Sequence, residues 1–157
     1  MTKLNLIAEP GKHDIVMTRE FNAPRELVFR AYTDPELVPK WWGPKGTTTV
    51  VDQMDVRMGG VWRYVQHHAD GGEYGFRGVY HQVSAPERLV YTFEFEGMPG
   101  HILLETIILE ERDGKTLVTD LSVFQSIEDR DGMLQSGMES GATDSWDRFD
   151  EVLKTLV

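Results

Sequence analysis

The final stretch, residues 136–157, constrains the fold more than any other. Met138, Ala142, Trp146, Phe149, Val152, Leu153 and Leu156 recur at helical spacing and form one apolar stripe. Glu139, Asp144, Asp147, Glu151 and Lys154 occupy the remaining, wet face. A long amphipathic helix must lay its stripe on another layer of structure. Ser136-Gly137-Met138-Glu139 has capping-box spacing, so the helix is expected to begin with Ser136 as N-cap and Glu139 reaching back. Gly137, Gly141 and Ser145 sit beside the stripe at intervals of four. Small residues there either let the helix approach a sheet closely or leave room for a ligand.

The layer under the helix is legible upstream. From Thr48 onward the chain reads as short strands divided by turn signals, the pattern of an antiparallel meander. The segments are Thr48 to Arg57, Val61 to His68, Glu73 to Val83, Leu89 to Glu96, Ile102 to Glu110 and Thr116 to Phe124. Gly59-Gly60, Asp70-Gly71-Gly72, Ala85-Pro86, Pro99-Gly100 and Asp113-Gly114 supply the turns. Trp62, Tyr64 and Gln66 share a face, as do Leu89, Tyr91, Phe93 and Phe95. Ahead of the meander, His13 to Phe21 alternates as a first strand, with Ile15, Met17 and Arg19 on one side. Asn22-Ala23-Pro24 then opens a short helix carrying Leu27, Val28, Ala31 and Tyr32, with Asn22 as N-cap. A second short helix begins at Asp34-Pro35 and runs toward Trp41-Trp42, where Gly43-Pro44 stops it.

The expectation is therefore an α+β helix-grip fold. A curved antiparallel sheet of about seven strands (strand, two short helices, six strands) wraps around a long C-terminal helix. Residues 1–12 read as a loose arm ending at Pro10-Gly11, and 13–157 as one domain. A chain of 157 residues suits a single domain.

Composition narrows the function. With no cysteine, disulfides, thiolate chemistry and cysteine-based zinc sites are excluded, which fits a reducing compartment. The formal net charge is −10, which disfavours nucleic acid and anionic membrane surfaces as partners. Residues 1–14 hold no apolar core of signal-peptide length. No apolar run approaches the ~20 residues that span a bilayer. A cytoplasmic protein is expected, without membrane insertion.

Several stretches match a known family. They are Phe21-Asn22-Ala23-Pro24 with Val28-Phe29, Thr33-Asp34-Pro35-Glu36 and Trp41-Trp42-Gly43-Pro44. Met58-Gly59-Gly60, Gly78-Val79-Tyr80, Pro86-Glu87-Arg88-Leu89-Val90-Tyr91 and Ser136-Gly137-Met138-Glu139-Ser140-Gly141 continue the match. On these residues, in family order over roughly 13–157, the chain resembles the START-like (SRPBCC) superfamily. Within it, the chain is similar to the branch named after the C-terminal domain of the activator of the ninety-kilodalton heat-shock-chaperone ATPase. The resemblance implies the helix-grip fold and a cavity between long helix and sheet. Superfamily members include lipid and hormone carriers and polyketide cyclases, so it implies no single activity.

If the cavity exists, facing arguments give its lining as Trp62, Tyr64, Tyr91, Phe93, Met138, Ala142, Trp146 and Phe149. Any one of these also reads as plain core. Glu105 shares a strand face with Leu103, Ile107 and Leu109, so it is either a functional group or a charge paired elsewhere. Asp120 in the next strand is similar, and two inward carboxylates side by side would share a proton. His67-His68 point to opposite strand faces and give no metal site, and no phosphate-binding or nucleophile-elbow motif is present. No cofactor is expected.

Three functions compete. The first is binding of a small apolar or amphipathic molecule. The second is a co-chaperone-like protein-interaction module. The third is a cyclase or hydrolase using Glu105 or Asp120 with a tyrosine. The strand Ile102 to Leu109 adds an oligomeric expectation, because it is apolar on both faces. Its outer side, Ile102, Leu104 and Ile108, is expected to be covered by the arm or by a second copy in a two-fold dimer, with the dimer favoured.

Overall fold

A computed structural model describes residues 3–157. The elements are β1 (Asn5–Ile7), β2 (Asp14–Phe21), α1 (Arg25–Thr33), a 3₁₀ turn (Val38–Lys40), β3 (Thr47–Met54), β4 (Val61–His68), β5 (Glu73–Ser84), β6 (Arg88–Phe95), β7 (Ile102–Arg112), β8 (Lys115–Phe124), α2 (Ile127–Gln135) and α3 (Met138–Leu156). The strands form one antiparallel sheet of eight in the order β1-β2-β8-β7-β6-β5-β4-β3. This is the expected helix-grip architecture, with one strand more.

Irregularities bend the sheet. The register slips between Val51 and Gln53 in β3 and between Tyr80 and Gln82 in β5. An extra residue in one strand of a pair bends that strand and increases its twist. Gly78 has no room for a side chain: a Cβ there would stand 1.7 Å from the Thr92 carbonyl oxygen and 2.5 Å from Trp62 Nε1. The bare backbone at Gly78 lets the Trp62 indole cross β5 and donate to that carbonyl at 3.2 Å.

Three departures from the expected elements have local causes. The helix α2 is not predicted by the sequence pattern. Its N-cap Ser126 accepts a hydrogen bond from the Asp129 amide at 3.0 Å, but its apolar residues form no stripe for periodicity to detect. Ser136 is consequently not the N-cap of α3. It ends α2, donating its hydroxyl to the Met133 carbonyl, and Gly137 at φ 86° turns the chain into α3. The second short helix reduces to a 3₁₀ turn, prefaced by Asp34, whose carboxylate accepts from the Glu36 amide. Asn22 likewise gives way to Pro24 as the cap position of α1.

The arm is partly a strand. Asn5–Ile7 pairs with β2, while Leu4, Leu6 and Ala8 pack against the core. Arg130 of α2 anchors the segment that follows, donating Nη1 to the Glu9 carbonyl at 2.6 Å. The arm therefore extends the sheet edge and does not lie over the outer face of β7. There Ile102 and Leu104 stay 38% and 40% exposed, with no cover from the described chain. The first two residues of the arm lie outside the described residues.

The buried face of β2 carries Ile15, Met17, Arg19 and Phe21, which explains its blurred alternation. Arg19 is buried across the Phe21 ring and donates Nη1 to Asp147 Oδ1 at 2.7 Å, tying the sheet to α3. The α3 stripe is buried as expected at Trp146, Phe149, Val152 and Leu153. No helix among the described residues is long and apolar enough to cross a membrane.

Candidate functional site

Strand register sorts the concave face into rows. One row runs Ile15, Ser122, Glu105, Tyr91 and Tyr80 across β2, β8, β7, β6 and β5. The next runs Met17, Asp120, Ile107 and Leu89. Glu105 and Asp120 therefore both point inward, one residue-row apart, and Ser122 stands between them. Its hydroxyl lies 3.1 Å from Glu105 Oε1 and 3.5 Å from Asp120 Oδ1. Tyr91 stands directly opposite Glu105 on the neighbouring strand.

Burial governs the electrostatics here. It raises the Asp120 carboxyl well above the usual range, and the adjacent Glu105 charge raises it further. Burial also raises Glu105, against the Tyr91 and Ser122 hydroxyls, which favour its charged form. Tyr91 and Tyr32 are pushed up by burial and then by the two carboxylates, and burial raises Tyr80 to about 12. All three phenols keep their protons at neutral pH and can donate.

A pocket of about 30 Å³ opens above Glu105. Trp62, Tyr64, Tyr80, Leu89, Tyr91 and Phe93 of the sheet line it, and Tyr32, Trp41 and Trp42 close it. Tyr91, Phe93 and Glu105 keep partial exposure although they face inward. Trp42 is the half-buried lid, its ring centroid 5.1 Å from Tyr64 and 5.0 Å from Phe76. It sits on a strap, residues 41–46, held mainly by side chains. The Gly43 amide donates to Ser145 Oγ at 3.0 Å, Arg148 donates to the Gly43 carbonyl, Lys45 N donates to Asp144, and Thr49 donates to the Trp42 carbonyl at 2.7 Å. Gly43 has φ 108°, and a Cβ there would fall 2.8 Å from the Gln66 amide nitrogen.

The structure redistributes the expected lining. Trp62, Tyr64, Tyr91, Phe93 and Glu105 line the pocket, and Asp120 lies beside Glu105. Met138, Ala142, Trp146 and Phe149 do not line it. Trp146 and Phe149 pack with Phe21, Tyr32 and Trp41 in an adjoining core that shares Tyr32 and Trp41 with the pocket, Trp146 donating Nε1 to the Tyr32 hydroxyl at 3.1 Å. Met138 and Ala142 flank that core. The reason is steric: the α1 region and its tryptophan strap sit between this half of the sheet and α3. The small residues of α3 serve the strap, for Ser145 bonds Gly43 and a Cβ on Gly141 would only just reach Pro44. Sequence reasoning missed Tyr32, Trp41, Trp42, Tyr80, Leu89 and Ser122. The Trp41-Trp42-Gly43-Pro44 stretch was the available signal, since two tryptophans before a glycine–proline stop form an apolar plug.

A wider groove of about 470 Å³ lies elsewhere, bordered by Arg63, Tyr74, Gly75, Phe95 and Glu96. Its cation is already engaged, with Arg63 bound through Nε and Nη2 to Glu96 and through Nη1 to Asp52. It is also open and shares no residue with the carboxylate pair, so the smaller pocket is the candidate site. Among the described residues no cluster of three or more His, Asp or Glu side chains could hold a metal ion.

Solved structures share this architecture. A protein from Mycobacterium smegmatis matches at TM-score 0.87 and 24% identity over 98% of this chain and 97% of its own. A solution structure from Staphylococcus epidermidis matches at TM-score 0.81 and 28% identity, covering 95% and 94%. An AHSA1 protein from Silicibacter pomeroyi matches at TM-score 0.74 and 25% identity, covering 92% and 99%. No curated protein matches the chain. The family model for Activator of Hsp90 ATPase homolog 1-like protein matches residues 22–154, a span that takes in α1, the tryptophan strap, both carboxylates and nearly all of α3. The chain belongs to the family of Activator of Hsp90 ATPase homolog 1-like proteins.

Proposed function

We propose that the chain binds a small apolar or amphipathic molecule in the aromatic pocket beneath Trp42. The observation that carries this reading is the partial exposure of inward-facing Tyr91, Phe93 and Glu105 around a space lined by rings. An apolar wall with a few placed polar groups is the usual make-up of a small-molecule site. A space of about 30 Å³ holds little more than a water, so the ligand enters by displacing the Trp42 indole. Releasing the strap breaks a few hydrogen bonds, each worth about 1 kcal/mol net, and leaves the sheet intact.

The test is fluorescence titration with N-phenyl-1-naphthylamine, a dye that brightens in apolar surroundings. The native protein should bind it, and Trp42→Ala should bind it at least several-fold more tightly. Exclusion of the dye from both proteins would overturn the reading.

The closed state of the pocket favours one alternative, a protein-interaction module in keeping with the family's name. That reading requires the dye to be excluded and a chaperone to be retained by the folded chain. A cyclase or hydrolase using Glu105 or Asp120 with Tyr91 would need the same pocket, and turnover of a bound ligand would distinguish it from a carrier.

A further inference from the structure

We propose that the buried end of the ligand is a cationic nitrogen, an amine or ammonium group seated on Glu105 and Asp120 within the aromatic wall. This inference rests on the ligand-binding reading and deepens it.

The proton inventory of the site leads there. Asp120 is 8% exposed, and among the described residues its one hydrogen-bond partner is Ser122, at 3.5 Å. A hydroxyl at that distance is a weak donor. Ser122 has a single proton, and Glu105 Oε1 is closer at 3.1 Å. Tyr91 stands opposite Glu105 in the register, so Asp120 is left with the weaker share of Ser122. The four oxygens of two inward carboxylates still hold more acceptor capacity than the hydroxyls of Ser122, Tyr91 and Tyr32, with one proton each, can satisfy. One proton shared between them would still leave one negative charge. The buried cation of the same face, Arg19, turns to Asp147 and the Phe21 ring instead. An uncompensated buried charge is costly, and a cation with N–H groups is the partner that would satisfy it.

The wall points the same way independently of the carboxylates. Trp42, Trp62, Tyr64, Tyr91 and Phe93 line the space above Glu105, with ring centroids 4.7–6.5 Å apart. A cation over such faces is attracted by their quadrupoles, most strongly over tryptophan and more so when desolvated. A hydrocarbon head would gain nothing from the carboxylates, and an anionic head would be repelled by them. The formal charge of −10 adds a long-range bias that concentrates cations near the protein.

Three probes of one shape separate the possibilities: benzylamine, benzyl alcohol and benzoate, titrated by calorimetry at pH 7. Wild type and Trp42→Ala are both used, because the variant vacates room for one ring beside Glu105. Benzylamine should bind about tenfold or more tighter than benzyl alcohol, as charge-assisted hydrogen bonds imply, and benzoate should not bind. Glu105→Gln should abolish the preference for the amine while keeping the alcohol, which a merely structural role for Glu105 would not do. Equal binding of amine and alcohol would overturn the cationic head and leave the pocket intact. Failure of every probe, together with exclusion of the apolar dye, would overturn the ligand-binding reading itself.

Discussion

The concave face holds two aromatic clusters that differ in how they are closed. In the first, Phe21, Tyr32, Trp41, Trp146 and Phe149 meet with centroids 4.8–5.7 Å apart, and α3 seals them. Each polar ring atom in it is engaged: Trp41 Nε1 donates to the Ala31 carbonyl at 2.8 Å and Trp146 Nε1 to Tyr32. In the second, Trp62, Tyr64, Tyr80, Tyr91 and Phe93 surround residual space and Glu105, with Asp120 beside it, and a strap carrying Trp42 closes it. The same kind of side chain thus builds a core in one place and a site in the other. What separates them is the cover: a helix continuous with the fold, against a loop held by a few polar contacts.

Substitutions sharpen that contrast. Trp146→Ala removes a buried ring from the sealed cluster and should cost about 3–5 kcal/mol in urea denaturation, with no gain in dye binding. Trp42→Ala removes a half-buried ring from the strap and should cost roughly half as much, while opening the pocket. A Trp42→Ala cost equal to that of Trp146→Ala, with no dye bound, would erase the distinction between core and lid.

The carboxylates give the second cluster a pH signature that the first lacks. Burial raises both folded-state carboxyls above their unfolded values. The folded chain therefore holds protons that the unfolded chain releases. The associated stability is complete below an unfolded carboxyl pKa of about 4 and is lost as pH rises through the folded values. Asp120→Asn should accordingly gain on wild type as pH is raised from 4 to 8 in thermal melts. A difference that does not change with pH would show that Asp120 is not held protonated by its surroundings.

A smaller effect is expected at the strap itself. Ser145→Ala removes the acceptor of the Gly43 amide and should cost about 1 kcal/mol, while speeding dye entry in stopped-flow mixing. Unchanged entry would mean that the strap is not the door. The smallest effect belongs to the convex side of β7. Leu104→Thr, at an exposed position, should stay within about 0.5 kcal/mol of wild type, whereas Leu103→Ala on the concave side should cost about 2–5 kcal/mol. A large cost at Leu104 in a concentration-dependent melt would show that a second copy covers that face.

Local patterns in the sequence decided the layers. Period-two alternation at Trp62, Tyr64 and Gln66, turn glycines between strands and the α3 stripe were enough for the helix-grip architecture, because each follows from backbone geometry alone. The same alternation put Glu105 on the face of Leu103, Ile107 and Leu109, where the structure finds it. Periodicity does not state what lies across from a face. That Asp120 stands beside Glu105, with Ser122 between them, depends on how β7 and β8 register. That Trp42 rather than α3 closes the pocket depends on where α1 and its strap come to rest between helix and sheet. Ser136 shows the limit at short range: its spacing fits a capping box, yet α2, invisible to periodicity, claims it first. The sequence by itself determined which residues face inward, since that is set by the bond geometry of each strand and helix. Only the tertiary structure decided which inward residues meet, because such pairs are joined by packing between segments far apart in the chain.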